Sequence, residues 1–197
     1  DGVVTGSAKV DGRPLQIASQ DSTVAGGALG EVHGDKITEM MKLSLKTASP
    51  FVFLNDSGGA RIQEGIDSLA SYARVFYHNV LLSGFVPQIA VICGACAGGA
   101  AYSPALCDFV IQSRKGQMFL TGPAVIEQIT GEVITANELG GADVQMEKAG
   151  NVHLIAEDDH HAIALCKRLL SFLPSNNTED APVVPGDYSV AYDDVLN

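Results

Sequence analysis

The chain has 197 residues, enough for one domain with a sizeable core, and its composition is globular: 46% hydrophobic, 18% charged, 21 glycines and no tryptophan. A formal net charge of -11 without any cluster of Lys and Arg argues against a nucleic-acid surface, and no apolar run approaches the ~20 residues of a membrane helix. The start, Asp1-Gly2-Val3-Val4-Thr5-Gly6, shows no secretion signal, so the expected location is the cytoplasm, and Cys93, Cys96, Cys107 and Cys166 are expected to be reduced core thiols rather than a disulfide scaffold.

The first element is a hairpin: strands Val3 to Val10 and Arg13 to Gln20, reversed at Asp11-Gly12. Beyond the glycines at 26, 27 and 30, apolar residues Ile37, Met40, Met41 and Leu45 recur at helical spacing and predict a helix over Lys36 to Thr47. Phe51 to Leu54 is a continuous apolar run of the kind buried on both faces of a sheet, and it stops at Asn55-Asp56-Ser57-Gly58-Gly59. The same order then repeats: helix Asp67 to Ser83, buried strand Gln88 to Cys93, glycine turn Gly94 to Gly99. Further strands are expected at Asp108 to Gln112, Met118 to Leu120 and Val152 to Ala156, and helices at Pro123 to Ile129, Ala136 to Leu139 and Asp158 to Leu173. From Pro174 the chain turns polar and proline-bearing. The division predicted is one domain over residues 1–174 and an exit segment over 175–197. Alternating strands and helices imply an α/β fold; the pattern leaves open whether it is a doubly wound sheet or a spiral of β-β-α units.

Two turns carry the candidate chemistry, Asp56-Ser57-Gly58-Gly59-Ala60-Arg61 and Gly94-Ala95-Cys96-Ala97-Gly98-Gly99-Ala100. Each follows a buried strand and precedes a helical segment. Glycine there lets a ligand approach the main chain, and the free N-H groups at a helix start point outward, so the pair can hold an anion or an oxyanion. Neither turn has the Gly-Lys-Ser/Thr of a phosphate loop or the Gly-x-Gly-x-x-Gly of a dinucleotide site. The rival reading is a nucleophile elbow, Gly94-x-Cys96-x-Gly98, with acids and bases drawn from Asp143, Asp158, Asp159, His153, His160 and His161. A third is a non-catalytic scaffold. Cys93-x-x-Cys96 lacks the second ligand pair of a zinc site, so no metal is expected. Arg61 and Lys36 are candidates to meet ligand phosphates, Asp56 is placed to accept from the turn that follows it, and His160-His161 reads as a solvated helix cap.

Those two turns, taken with Leu29-Gly30-Glu31, Thr121-Gly122-Pro123, Glu138-Leu139-Gly140-Gly141-Ala142 and Leu173-Pro174-Ser175-Asn176-Asn177, closely resemble the amino-terminal half of the biotin-dependent acyl-CoA carboxyltransferases. Within that family the resemblance is to propionyl-CoA carboxylase beta chains and the related decarboxylase and transcarboxylase subunits. It implies a crotonase-like fold, a spiral of β-β-α units, that binds a coenzyme A thioester such as propionyl- or methylmalonyl-CoA. It further implies Gly98 and Gly99 as donors to the thioester oxygen, Gly59 and Ala60 as the second side of that hole, and Gly58, Arg61, Ala97 and Ala100 as residues against the coenzyme A. Biotin would arrive on a partner protein or domain, and the biotin left after carbon dioxide release would remove the α-proton, so the chain needs no strong general base. The implied partners are a biotin carboxyl carrier and a second, homologous half of the carboxyltransferase, in a homo-oligomer when complete. Ser22 and Ala25 stand where the family usually has phenylalanine, and Ala95 where it has proline. A helical segment upstream of Asp1 and the second half are missing from the 197 residues, so the sequence reads as a fragment, an excised domain or one subunit of a split enzyme.

Overall fold

The computed structural model describes residues 1–183 and 186, so the exit segment beyond Val183 lies outside the described residues apart from Gly186. The hairpin forms as its pattern dictates: β1 (Val3–Val10) and β2 (Arg13–Gln20) pair antiparallel from Val3 opposite Gln20 to Val10 opposite Arg13. β3 (Phe51–Ser57), β4 (Gln88–Ala97) and β5 (Phe109–Ser113) follow in parallel, and β7 (Leu154–Ala156) closes the far edge against β5. The strand order runs β1-β2-β3-β4-β5-β7 without reversing, with β6 (Gln117–Phe119) branching off β4. A doubly wound sheet reverses its order at a switch point, so this topology is the spiral and not the doubly wound alternative.

Burial on both faces makes β3 to β5 the centre of three layers. Phe51 and Phe53 point toward α1 (Glu31–Thr47) and α2 (Ile66–Leu82), where they pack with Ile37, Met41, Tyr72, Val75 and Leu82. Val52, Ile89, Val91 and Ile111 face the opposite side and pack against α7 (Asp159–Leu170) through Ala162, Cys166 and Leu170. Burial of such a side chain stabilises by about 1.5 to 3 kcal/mol, so these continuous apolar runs are held in the sheet interior. Between β6 and β7 lie the short helices α4 (Pro123–Thr130), α5 (Ala136–Gly140) and α6 (Ala142–Val144), followed by one π turn, Gln145–Ala149.

Four differences from the sequence expectations stand out. Helix α1 begins at Glu31, five residues before the predicted start, because Gly34 lies in its first turns; a Cβ there would run into the Ser71 hydroxyl, so Gly34 is what lets α1 and α2 approach. β3 continues past Leu54 through Asn55, Asp56 and Ser57, since Asn55 Nδ2 donates to Phe53 O at 2.7 Å and the Asp56 amide donates to Gln20 Oε1 at 3.1 Å. β4 runs on to Ala97, through most of what the sequence suggested was a turn. Its first part pairs β5 (Ile89 to Ile92) and its last part pairs β6 (Ala95 to Ala97), so the strand changes sheet partner at Cys93-Gly94. Ser175 and Asn176, which open the predicted exit segment, are buried: Asn176 Nδ2 donates to Ala48 O at 3.0 Å and Asn177 N donates to Phe85 O at 2.9 Å.

Candidate active site

The parallel ladder between β3 and β4 brings the two glycine turns side by side. Its register shifts after Asn55 opposite Ile92, so that Ser57, the last residue of β3, lies opposite Cys96, one residue before β4 ends. Gly59 adopts φ +100°, and a Cβ placed on it would lie 2.7 Å from Ala97 O and 4.0 Å from the Gly99 nitrogen. Only glycine allows that approach. Gly98, at φ +56°, caps α3 (Gly99–Ala105), whose first turn therefore opens directly beside Gly59.

The expected donors divide into occupied and free. Gly58 N donates to Gly26 O at 2.9 Å, Gly59 N to Ser57 Oγ at 3.2 Å, and Gly98 N to Phe119 O at 3.1 Å. Among the described residues, the amides of Gly99, Ala100 and Ala60 make no hydrogen bond. Those of Gly99 and Ala100 cannot be satisfied inside α3, because they belong to its first turn. Ala60 is held by its neighbours: Leu29 N donates to Gly59 O at 2.9 Å and Arg61 N donates to Leu29 O at 3.0 Å, which leaves the Ala60 N-H on the other side of the strand. Ala97 stands at the end of β4 and Ala100 is buried, so small side chains flank the donors.

The cations proposed for phosphates have other tasks. Arg61 Nη2 donates to Asp1 Oδ1 at 2.6 Å and to Ala28 O at 2.8 Å, while Nη1 donates to Glu64 Oε1 at 2.8 Å. It clamps the start of the chain, the loop before α1 and the turn before α2, and Glu64 in turn accepts from Glu31 N at 2.6 Å. The Glu31 amide and the Arg61 guanidinium together hold the Glu64 carboxyl below its usual range. Lys36 Nζ donates to Val3 O. Asp56 accepts from the Ser22 hydroxyl at 2.5 Å, and Gln20, whose Oε1 takes the Asp56 amide, sets its Nε2 3.3 Å from His33 Nε2. His33 is fully buried and its pKa is pushed down to about 4, first by burial and then by the charges of Arg61 and Lys36. Neither Gln20 nor His33 was singled out in the sequence; a histidine three residues into a helix carries no motif.

The hydrolase reading meets a different geometry from the one it needs. Cys96 is inside β4, fully buried, paired with Met118 and Ser57, and its thiol is pushed strongly upward by burial with Asp56 adding to it. An elbow nucleophile must instead stand exposed on the strand-to-helix turn with a lowered pKa. Two of the three candidate bases are engaged elsewhere: His153 Nδ1 accepts from Val110 N at 3.0 Å, and His161 Nδ1 accepts from Glu157 N at 3.2 Å, with His161 N bound to the cap residue Asp158 at 2.8 Å. Among the described residues no group of His, Cys, Asp and Glu could hold a metal ion, and no helix is long and apolar enough to cross a membrane.

Comparison with known proteins places these features. A family described as the carboxyl transferase domain matches residues 1–196. The methylmalonyl-CoA carboxyltransferase 12S subunit of Propionibacterium freudenreichii subsp. shermanii is 59% identical over 184 residues, which cover 93% of this chain and 35% of that protein. The propionyl-CoA carboxylase beta chain of Saccharopolyspora erythraea is 54% identical over 187 residues, 94% of this chain and 34% of the relative. A crystal structure of transcarboxylase 12S, a hexamer with hydrolysed methylmalonyl-coenzyme A bound, matches 100% of this chain and 39% of its own with a TM-score of 0.96 and 56% identity. The chain thus spans between 34% and 39% of the length of these proteins.

Proposed function

Because the chain belongs to the carboxyl transferase domain family, we propose that it is the acyl-CoA-binding half of a biotin-dependent carboxyltransferase of the propionyl- or methylmalonyl-CoA type. Its α/β, crotonase-like fold is the one that family uses. The observation that carries the reading is the set of main-chain donors without partners, Gly99 and Ala100 at the head of α3 and Ala60 on the adjoining turn. Removal of an α-proton from an acyl thioester moves charge onto the thioester oxygen. Amides fixed in place before the reaction stabilise that enolate, at roughly 3 to 4 kcal/mol for each donor well aimed.

The role of each predicted residue follows from its bonds. Gly99 and Ala100 supply the donors, Ala60 the second side, and Gly98 and Gly59 the backbone bends that aim them. Gly58 and Ala97 line the approach, and Arg61 holds the first turn in place instead of meeting phosphate. Carboxybiotin, brought by a partner, would release its carboxyl group as carbon dioxide, and the biotin nitrogen left behind would take the α-proton. This chain's part is to bind the thioester, orient it and hold the charge on its oxygen, which agrees with the engagement of His153 and His161 elsewhere. One pair of turns cradles one carbonyl oxygen, so the urea oxygen of biotin calls for a second cradle on another part of the complete protein. The apolar strip exposed along α2, with Ile66, Leu69, Tyr77 and Val80 each more than half exposed, supports a large covering partner of that kind and a homo-oligomeric whole.

Isothermal titration with propionyl-CoA tests the proposal. The expected result is weak, saturable binding that exceeds binding of free coenzyme A; a folded sample that takes up neither propionyl- nor methylmalonyl-CoA overturns it.

A further inference from the structure

One buried side chain touches both glycine turns without any established task. Tyr72, in the second turn of α2, is 5% exposed, and its hydroxyl has no hydrogen-bond partner among the described residues. Its ring lies under the second turn: a Cβ placed on Gly99 would be 3.0 Å from both Cε2 and Cζ. Its hydroxyl lies near that of Ser57 but outside hydrogen-bond geometry; Ser57 ends β3 opposite Cys96, and the Ser57 hydroxyl is the acceptor for the Gly59 N-H at 3.2 Å. Ala60 packs against the same core cluster. The ring is itself braced, since Phe76 lies 5.6 Å away and in turn meets Tyr102 of α3 edge-on at 5.7 Å.

We propose that Tyr72 is the positioning residue of this site: its ring fixes the height of Gly99 above α2, and with it the spacing between the Gly99 and Ala100 donors and the turn carrying Ala60. The contact explains why position 99 is glycine although its backbone does not require one, because φ at Gly99 is not in the left-handed region. A methyl at position 99 would make a tight contact with the ring that cannot relax cheaply. The Tyr72 ring is closed in by Phe76, and the Gly99 main chain is tied through Gly98 N to Phe119 O. An aromatic ring that only filled space would serve equally well as phenylalanine or as a leucine of similar reach. A ring that sets a donor does not tolerate leucine.

The inference rests on the reading of Gly99 and Ala100 as thioester donors, so its test has a readout that does not need the ligand. Four variants of the chain are compared: Tyr72→Phe, Tyr72→Leu, Gly99→Ala and the double variant Gly99→Ala with Tyr72→Leu. Each is followed by urea unfolding, by propionyl-CoA titration of the folded sample and by ¹⁵N relaxation. Tyr72→Phe keeps the ring and is expected to hold propionyl-CoA affinity within about threefold of the wild-type chain. Tyr72→Leu and Gly99→Ala are each expected to lose about tenfold or more, and the double variant to recover at least half of that loss on a logarithmic scale, because the leucine makes room for the new methyl. In ¹⁵N relaxation the order parameters of Gly99 and Ala100 fall from rigid values near 0.85 in Tyr72→Leu and stay there in Tyr72→Phe. A Tyr72→Leu chain that is less stable yet binds within twofold of wild type, or additive losses in the double variant, overturns the proposal. If the wild-type chain binds no propionyl-CoA, the function proposed above fails. Unchanged order parameters at Gly99 and Ala100 in Tyr72→Leu then decide against Tyr72 separately.

Discussion

Replacing Gly59 by alanine isolates the backbone bend on which the site depends. Gly59 sits at φ +100°, outside the range an L-residue takes without strain, and the new methyl would lie 2.7 Å from the carbonyl oxygen of Ala97, a main-chain atom held in β4. Strain of this type costs about 1 to 3 kcal/mol, and overpacking against a fixed atom adds a further ~1 to 3 kcal/mol. The expected loss is therefore about 2 to 6 kcal/mol, a fall in Tm of roughly 4 to 24 °C for a chain of this size. Gly58 is the internal control. It is exposed, its φ is not positive, and an added Cβ would lie 3.4 Å from Gly26 O, an ordinary contact. Gly58→Ala should cost less than about 1 kcal/mol. Urea unfolding followed by circular dichroism measures both. Equal midpoints for the two variants would refute the claim that the β3–β4 register presses Gly59 onto the second turn.

Two other substitutions probe the surrounding network. His33 is held neutral, with its folded pKa near 4 against 6.5 when unfolded, so the unfolded chain takes up the proton first as the pH falls. Its contribution is complete above pH 6.5 and is lost progressively toward pH 4, a change of roughly 3 kcal/mol from the pKa difference. His33→Gln should flatten the pH dependence of urea midpoints between pH 7 and pH 4.5, and unchanged slopes would count against a neutral buried His33. Arg61→Met breaks the ion pairs with Asp1 and Glu64, which lie partly exposed at the surface, and the hydrogen bond to Ala28 O. It should lower stability by about 1 kcal/mol, with a smaller effect on propionyl-CoA affinity per folded molecule. The opposite split, affinity lost with stability kept, would return Arg61 to the phosphates.

Much of this was legible in the residues because local and tertiary demands agree. The hairpin at Asp11-Gly12, the buried runs of β3 to β5 and the amphipathic α2 and α7 each carry a period that only one environment satisfies. The ends of elements were misread where glycine or polar residues serve packing instead of turns. Gly34 belongs to the α1–α2 crossing, Asn55 and Asp56 to the end of β3, and Gly94 to the run of β4 between its two partners. The site was legible as two glycine turns, yet which amides stay free depends on acceptors far along the chain, such as Phe119 O for Gly98 and Gly26 O for Gly58. Arg61 looked available for the same reason: its partners Asp1 and Ala28 are distant in sequence. Tyr72 has no motif at all, and its role follows only from the ring lying under Gly99.

In the proposed function Gly99, Ala100 and Ala60 offer free main-chain donors to the oxygen of an acyl-CoA thioester. A ¹H–¹⁵N titration of the labelled chain with propionyl-CoA, set against free coenzyme A, addresses it directly, because a new hydrogen bond to an amide moves its proton signal downfield. Saturable downfield shifts are expected at Gly99 and Ala100 with propionyl-CoA alone, a smaller one at Ala60, and almost none at Gly98, whose N-H is already bonded to Phe119 O. Binding that shifts Gly98 while leaving Gly99 and Ala100 in place, or shifts confined to residues away from both turns, would contradict it.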